Sequence, residues 1–365
     1  MITSFLLLDI YVPIMGDEVI VIYAGCGEGH RSCAYAIKQV LKCQCWDVLN
    51  FSPFFIRKFY QRGYRLIVQK IPVVWVLLFE ISKLKIARWF LSWLHFIIFR
   101  KLRRFIIHTK PKVIISTHFF PLMFLPFLKR KFPLKVVTVI TDLGVHPLWI
   151  NEGVDIYLVA LKETKQTLIN QGVPEEKIIE AGIPIRQGFY KDVDLVKIRR
   201  KFSLGEKPGL LFLSSNMGNI PFLEKIIPYI KDDFTIFIIY GENKKLKQYL
   251  ERLRYPCLRI FPFYEDIWEI MRVCLAIITK PGGLTTFEAI SLGKPLIFTH
   301  YIYGQEKING DVLTKLGVGF WARSVEELRK AIYYIRNNQD TIKFSLKVGK
   351  GNDILLQILP QLLRR

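Results

Sequence analysis

Thr279-Lys280-Pro281-Gly282-Gly283-Leu284-Thr285-Thr286-Phe287-Glu288-Ala289-Ile290-Ser291-Leu292-Gly293-Lys294-Pro295-Leu296-Ile297 reads as the end of a strand, a glycine turn, a helix and the start of a second strand. Strand, helix and strand in that order form a parallel pair joined by a helical crossover. The turn also carries chemistry. Free N–H groups at the helix start, the helix dipole and Lys280 make a cradle for a diphosphate. Glu288, further along the helix, is placed to accept hydrogen bonds from ribose hydroxyls. No Gly-Lys-Ser/Thr follows the glycines, so a P-loop is excluded.

The same alternation extends in both directions. Apolar runs at 209–213, 234–240, 258–261, 275–279 and 295–299 read as buried parallel strands of one unit. Ahead of them, 18–23 leads through a glycine turn into a helix over about 31–42, followed by strand candidates at 113–116, 136–141, 156–160 and 178–181. Two Rossmann-like α/β domains facing a cleft follow: 1–190, 191–345, and a helical tail over 346–365. The polar stretch between Phe189 and Pro208 is the connection. In such sheets ligands sit beyond the carboxyl ends of the strands.

Of the 365 residues, 51% are hydrophobic and 23% charged, which supports real cores and excludes disordered, collagen-like and disulfide-stapled classes. Lys and Arg number 53 against 31 Asp and Glu, a net charge of +22 that calls for nucleic acid, anionic lipid or a phosphorylated ligand. The excess is concentrated. Residues 51–135 hold 18 basic residues and one acid, Glu80, giving +17, while the other 280 residues carry +5. Within this stretch, 71–99 is heavily apolar, yet Glu80, Lys83, Lys85 and Arg88 split it into uncharged runs of 9 and 11 residues. A spanning helix needs about 20. The pattern fits buried core helices or amphipathic ones presenting Trp75, Trp89, Phe90, Trp93 and Phe96 to an interface. Arg100-Lys101-Leu102-Arg103-Arg104 and Lys129-Arg130-Lys131 favour docking on an anionic leaflet. A nucleic-acid groove does not need the long aliphatic runs, and no nucleic-acid motif is visible. The apolar start, 2–15, contains Asp9 and lacks a basic flank and a cleavage site, so it does not read as a signal peptide. Six cysteines without a CxxC pair, Cys43-Gln-Cys45 being the closest spacing, read as reduced cytosolic thiols.

Other motifs fall at strand ends. Gly25-Cys26-Gly27-Glu28-Gly29-His30 is either a tight turn or a ligand loop with His30 at its mouth as base or acceptor-binding group; its third glycine comes one residue early for the dinucleotide spacing. Thr141-Asp142-Leu143-Gly144-Val145-His146-Pro147-Leu148-Trp149 sets a carboxylate and an imidazole where the sheet opens, as a general base requires, unless Asp142 is a helix cap. Tyr303-Gly304-Gln305-Glu306-Lys307-Ile308-Asn309 offers amide side chains to sugar hydroxyls, and Phe261-Pro262-Phe263-Tyr264-Glu265-Asp266-Ile267 can frame a base. Asp192-Val193-Asp194 has the DxD form of metal-dependent sugar transferases, but it lies in the connection and reads as a solvated charge pair.

Taken in order over about 18–335, these segments resemble the diacylglycerol glycosyltransferases of the monogalactosyldiacylglycerol synthase and processive glucosyltransferase group, relatives of the lipid I N-acetylglucosaminyltransferase. The most specific matches are Gly27 to Arg31, Thr141-Asp142 to His146 and Trp149, Val154-Asp155-Ile156-Tyr157, Ala181-Gly182-Ile183-Pro184-Ile185, and Thr279 to Ala289. The resemblance implies a GT-B fold, a UDP-sugar donor held by the C-terminal domain and a lipid acceptor reached from the membrane by the N-terminal one. It further implies donor binding by Phe263, Tyr264, Lys280, Gly282, Gly283, Thr285, Glu288, Gln305 and Glu306, and proton removal by His30 or Asp142, with His146 beside them. Gly29, Arg31, Trp89, Trp93, Arg100, Lys101, Arg103 and Arg104 are expected on the acceptor and membrane side. Ser214-Ser215-Asn216-Met217-Gly218 departs from the glycine-rich loop usual in the group.

The reaction so implied is inverting transfer of a hexose from a UDP-sugar to a lipid hydroxyl, diacylglycerol first, by a peripheral protein on the cytoplasmic face of the membrane, with no cofactor, no obligatory metal and no nucleic-acid partner. Transfer of N-acetylglucosamine from UDP-GlcNAc to a lipid-linked cell-wall precursor, a UDP-sugar epimerase on the same fold and a non-catalytic binding module are the alternatives.

Overall fold

The structure is a computed structural model that describes residues 18–214, 220–339, 346 and 348–364. The apolar start and most of the 214–218 loop lie outside the described residues. β1 (Val19–Tyr23), β2 (Gln44–Asp47), β3 (Val113–Ser116), β4 (Lys135–Val139), β5 (Ile156–Val159) and β6 (Ile178–Glu180) form one sheet in the order β2-β1-β3-β4-β5-β6. β7 (Gly209–Leu213), β8 (Thr235–Ile239), β9 (Leu258–Phe261), β10 (Cys274–Thr279), β11 (Leu296–Phe298) and β12 (Gly319–Trp321) form the other, in the order β12-β11-β10-β7-β8-β9. All pairings are parallel.

Strands such as β1 and β8 are apolar at nearly every position because helices cover both faces of a parallel sheet, and every residue of each is buried. The two strands the sequence did not announce, β2 and β12, are edges. Gln44-Cys45-Trp46-Asp47 is covered only in part, and Gly319-Phe320-Trp321 is three residues long, so neither shows a continuous apolar run. The first helix begins earlier than expected, at Glu28, with Gly27 as N-cap, so Gly29 and His30 belong to its first turn and not to a loop.

The connection holds a helix, Leu195–Lys201. Asp194 of the DxD triplet is its cap, accepting from the N–H groups of Val196 at 2.8 Å and Lys197 at 3.1 Å. The last helix, Gly351–Arg364, packs back on the first lobe, where Leu355 and Leu359 are buried and Asn352 Nδ2 donates to the Ile185 carbonyl at 2.9 Å. A Cβ on Gly182, whose φ is +76°, would lie 2.0 Å from the Gly349 carbonyl oxygen, so only glycine permits that approach. The six cysteines are free.

The basic, apolar stretch folds as helices Pro72–Ile81, Lys85–Ile98 and Arg100–Thr109 on the surface of the first lobe. They are not core helices. Val73 is 78% exposed, Ile86 76% and Trp89 69%, while the inner face is held by Phe79, His95, Leu102 and Ile106. No helix among the described residues is long and apolar enough to cross a membrane.

Candidate functional site

The two sheets turn their carboxyl ends toward one seam, and the candidate site is built along it. On the first lobe, His30 is fixed through Nδ1, which donates to the Thr117 carbonyl at 2.7 Å and lies 3.0 Å from Thr141 Oγ1. A carbonyl only accepts, so the proton sits on Nδ1 and Nε2 keeps its lone pair. Burial lowers the pKa of this imidazole, partly offset by the Asp142 charge, and so keeps it neutral. Asp142 is pushed in the opposite direction, upward, by burial; His30 and a hydrogen bond from Asn309 oppose that shift. The two groups interact and therefore titrate as a pair. Behind them, Asp47 at the end of β2 accepts from Gly25 N at 3.0 Å and Leu49 N at 2.9 Å, and so fixes the glycine turn. A Cβ on Gly25 would lie 2.3 Å from Asp47 Oδ2.

On the second lobe, helix Gly283–Ser291 points its uncapped N-terminus at the same seam. Its two leading glycines differ. A Cβ on Gly282 would meet nothing within 4 Å, whereas one on Gly283 would lie 1.8 Å from the Thr141 carbonyl oxygen. Gly282 leaves open space for a ligand, with Thr285 half-buried in the same turn. Gly283 is where the lobes touch, and Gly29 faces Leu284 nearby. Lys280 forms an ion pair with Glu306, whose other oxygen accepts from Ile302 N at 2.7 Å. Both Gln305 amide atoms are buried without a protein partner. Such atoms are costly unless a ligand satisfies them.

Glu288 is 4% exposed, and burial raises its carboxyl to about 7 against the pull of Arg186, whose Nη2 lies 3.3 Å away. Arg186 also donates through Nη1 to the Glu265 carbonyl, which draws the 263–266 segment toward the helix. Phe263 is 72% exposed, but Tyr264 is turned inward, its hydroxyl donating to Glu269 Oε2 at 2.7 Å. Arg186 was missed in the sequence, although it directly follows the Ala181–Ile185 match. Asn309, read there as a sugar-facing amide, is fully buried and spans the seam to Leu143, Gly144 and Asp142.

His146 lies apart from this centre, with both ring nitrogens used. Nδ1 accepts from Leu148 N at 3.2 Å, so Nε2 carries the proton toward Ser82 Oγ, also at 3.2 Å. Burial lowers its pKa to about 4. Its task is to join helix Pro72–Ile81 to the loop after β4. That helix also reaches the second lobe: Trp75 Nε1 donates to the Tyr303 carbonyl at 2.9 Å, Tyr303 Oη to Glu80 Oε1 at 3.1 Å, and Phe79 covers Gly304. Farther out, Trp89, Trp93, Arg100, Lys101 and Arg104 are exposed. Arg103 is instead drawn into the packing, its guanidinium 3.4 Å over the Phe96 ring. Arg31 faces solvent, 3.6 Å from Glu28.

Residues 30–185 match the family model for monogalactosyldiacylglycerol (MGDG) synthase, and residues 217–345 match that for the glycosyltransferase family 28 C-terminal domain. A processive diacylglycerol beta-glucosyltransferase of Bacillus cytotoxicus is 30% identical over 342 residues, covering 86% of this chain and 84% of the relative. The enzyme of the same name from Bacillus mycoides is 29% identical, with the same coverage. Among solved structures, Acinetobacter baumannii MurG superposes with a TM-score of 0.60 at 15% identity, covering 94% of this chain and 99% of MurG. The calicheamicin glycosyltransferase CalG4 gives 0.61 at 12%, covering 95% and 98%. These likenesses identify the paired sheets as a GT-B fold. With both halves matched in sequence and a relative aligned over most of its length, the chain belongs to the diacylglycerol glycosyltransferase family and is a glycosyltransferase.

Proposed function

We propose that the protein transfers a hexose from a UDP-sugar to the hydroxyl of diacylglycerol, with inversion, at the surface of an anionic membrane on its cytoplasmic side. The observation that carries this reading is the meeting at one seam of the His30–Asp142 pair with the uncapped helix at Gly282, Lys280 and the unpartnered Gln305 amide. Each lobe supplies what the other lacks. The lipid oxygen attacks the anomeric carbon, the bond from that carbon to the diphosphate oxygen breaks, and its electron pair leaves with UDP. The hydroxyl proton passes to the His30–Asp142 pair. Helix N–H groups and Lys280, released from Glu306, face the charge that develops on the diphosphate. Glu288 and Phe263 take the ribose and base, and Gln305 the sugar. With that charge met by the protein, activity is expected to persist in EDTA.

The exposed aromatic and aliphatic side chains of helices Pro72–Ile81 and Lys85–Ile98, with Arg100, Lys101 and Arg104, support docking on the bilayer that holds the acceptor. Purified protein is incubated with diacylglycerol vesicles and labelled UDP-glucose, UDP-galactose or UDP-N-acetylglucosamine, and the lipids are separated by thin-layer chromatography. A labelled glycolipid that forms only with diacylglycerol present is the expected result. No lipid-linked sugar with any of the three donors would remove the proposal.

A further inference from the structure

We propose that Asn309 is a positioning residue that holds the Asp142 carboxylate in its working orientation when the two lobes close. This rests on the reading of His30 and Asp142 as the proton-accepting pair. Asn309 has no exposed surface, and its orientation is settled by its partners. Its oxygen accepts from two main-chain donors, Leu143 N at 2.8 Å and Gly144 N at 3.3 Å. Its nitrogen donates to two oxygens, Asp142 Oδ1 at 3.2 Å and the Pro281 carbonyl at 3.1 Å. A primary amide has two acceptor sites and two donor hydrogens. All four are used, so nothing remains for a sugar hydroxyl.

Asn309 lies on helix Gln305–Lys315 of the second lobe, while Asp142, Leu143 and Gly144 belong to the first. These bonds therefore exist only with the lobes together. The same helix carries Gln305 and Glu306, the latter paired with Lys280, so the elements that face the donor and the contact that aims the carboxylate move as one rigid piece. Asp142 is surrounded by His30 from helix Glu28–Leu41, Glu306 from helix Gln305–Lys315 and Lys280 at the end of β10. The Asn309 N–H favours the ionised carboxylate, as do His30 and Lys280, and its removal leaves those two alone against burial and Glu306, so the acid moves upward.

Asn309→Asp keeps the size and the acceptor for Leu143 and Gly144 and removes both N–H donors, but it also sets a second carboxyl group against Asp142, which raises that acid by itself. Asn309→Ser, which adds no charge, is therefore assayed beside it, and the shift counts only where both variants show it. The full chain is assayed with UDP-glucose and diacylglycerol vesicles from pH 5 to 9. We expect kcat to fall about 100-fold, KM for UDP-glucose to stay within about threefold, and the acid limb of the pH profile to move upward. UDP affinity by calorimetry and the melting temperature report that the fold and donor site persist. If Asn309→Asp does not fold, Asn309→Ser, too short to reach Asp142, is read alone. An unchanged acid limb, or a raised KM with kcat preserved, overturns the inference, the second result restoring a sugar-reading role. Asp142→Asn separates the two levels. If it retains native activity, the pair is not the base and the underlying reading fails. If it is inactive while Asn309→Asp behaves as wild type, only the positioning role fails. Combining the two substitutions should cost no more than Asp142→Asn alone.

Discussion

Gly282 and Gly283 are neighbours with different tasks, and one added methyl group at each separates them. At Gly283 a Cβ would run into the Thr141 carbonyl, so Gly283→Ala must push the lobes apart. A misplacement of about 1 Å in a catalytic site costs roughly 100-fold in rate, and that loss is expected in the glycolipid assay. At Gly282 the space is open, so Gly282→Ala should keep its melting temperature while calorimetry shows weaker UDP binding. Glu288 gives a pH signature. Its carboxyl is raised from 4.5 to about 7, so between those values the native state holds a proton that the unfolded chain has lost. Its stabilising contribution is therefore full below about 4.5 and is lost as pH rises through about 7, a change on the order of 3 kcal/mol. Urea unfolding from pH 4.5 to 8 should show a shallower slope for Glu288→Gln than for the native chain.

At the scale of elements, the strand–glycine–helix–strand units were legible because buried parallel strands are apolar at nearly every position, as Cys274–Thr279, polar only at its last residue, and Leu296–Phe298 are. The edge strands were not legible, since Gln44 and Asp47 interrupt the pattern that marks burial. The positions of His30, Asp142, Lys280 and Gln305 at strand ends could be read, yet the bonds that tie them could not. Asn309 and Leu143 are 166 residues apart, and nothing local announces that Lys280 meets Glu306 or that His146 is spent on Ser82 and Leu148. The surface helices were legible as basic and apolar, but whether they lay in the core was settled only by packing. Their role can be weighed charge by charge. Each basic group near an anionic leaflet contributes about 1 kcal/mol, so Arg100→Gln, Lys101→Gln and Arg104→Gln together should weaken sedimentation with phosphatidylglycerol vesicles about 100-fold at low salt. Binding to neutral vesicles should change little.

At the scale of the molecule, one apolar cluster runs from β1 through Leu143, Leu284 and Phe287 to Leu355 and Leu359, taking residues from both lobes and the last helix. Leu359→Ala removes a fully buried side chain from it, at a cost of about 2–5 kcal/mol. Calorimetric melting should then show a single transition shifted to lower temperature, because the cluster ties the lobes into one cooperative unit. The polypeptide thus crosses from one lobe to the other twice, after Tyr190 and again before Gly351. The second lobe is therefore moored to the first at both ends of its chain, by the connection after Tyr190 and by the buried Leu355 and Leu359, so parting Thr141 from Gly283 works against two moorings where a single linker would give one.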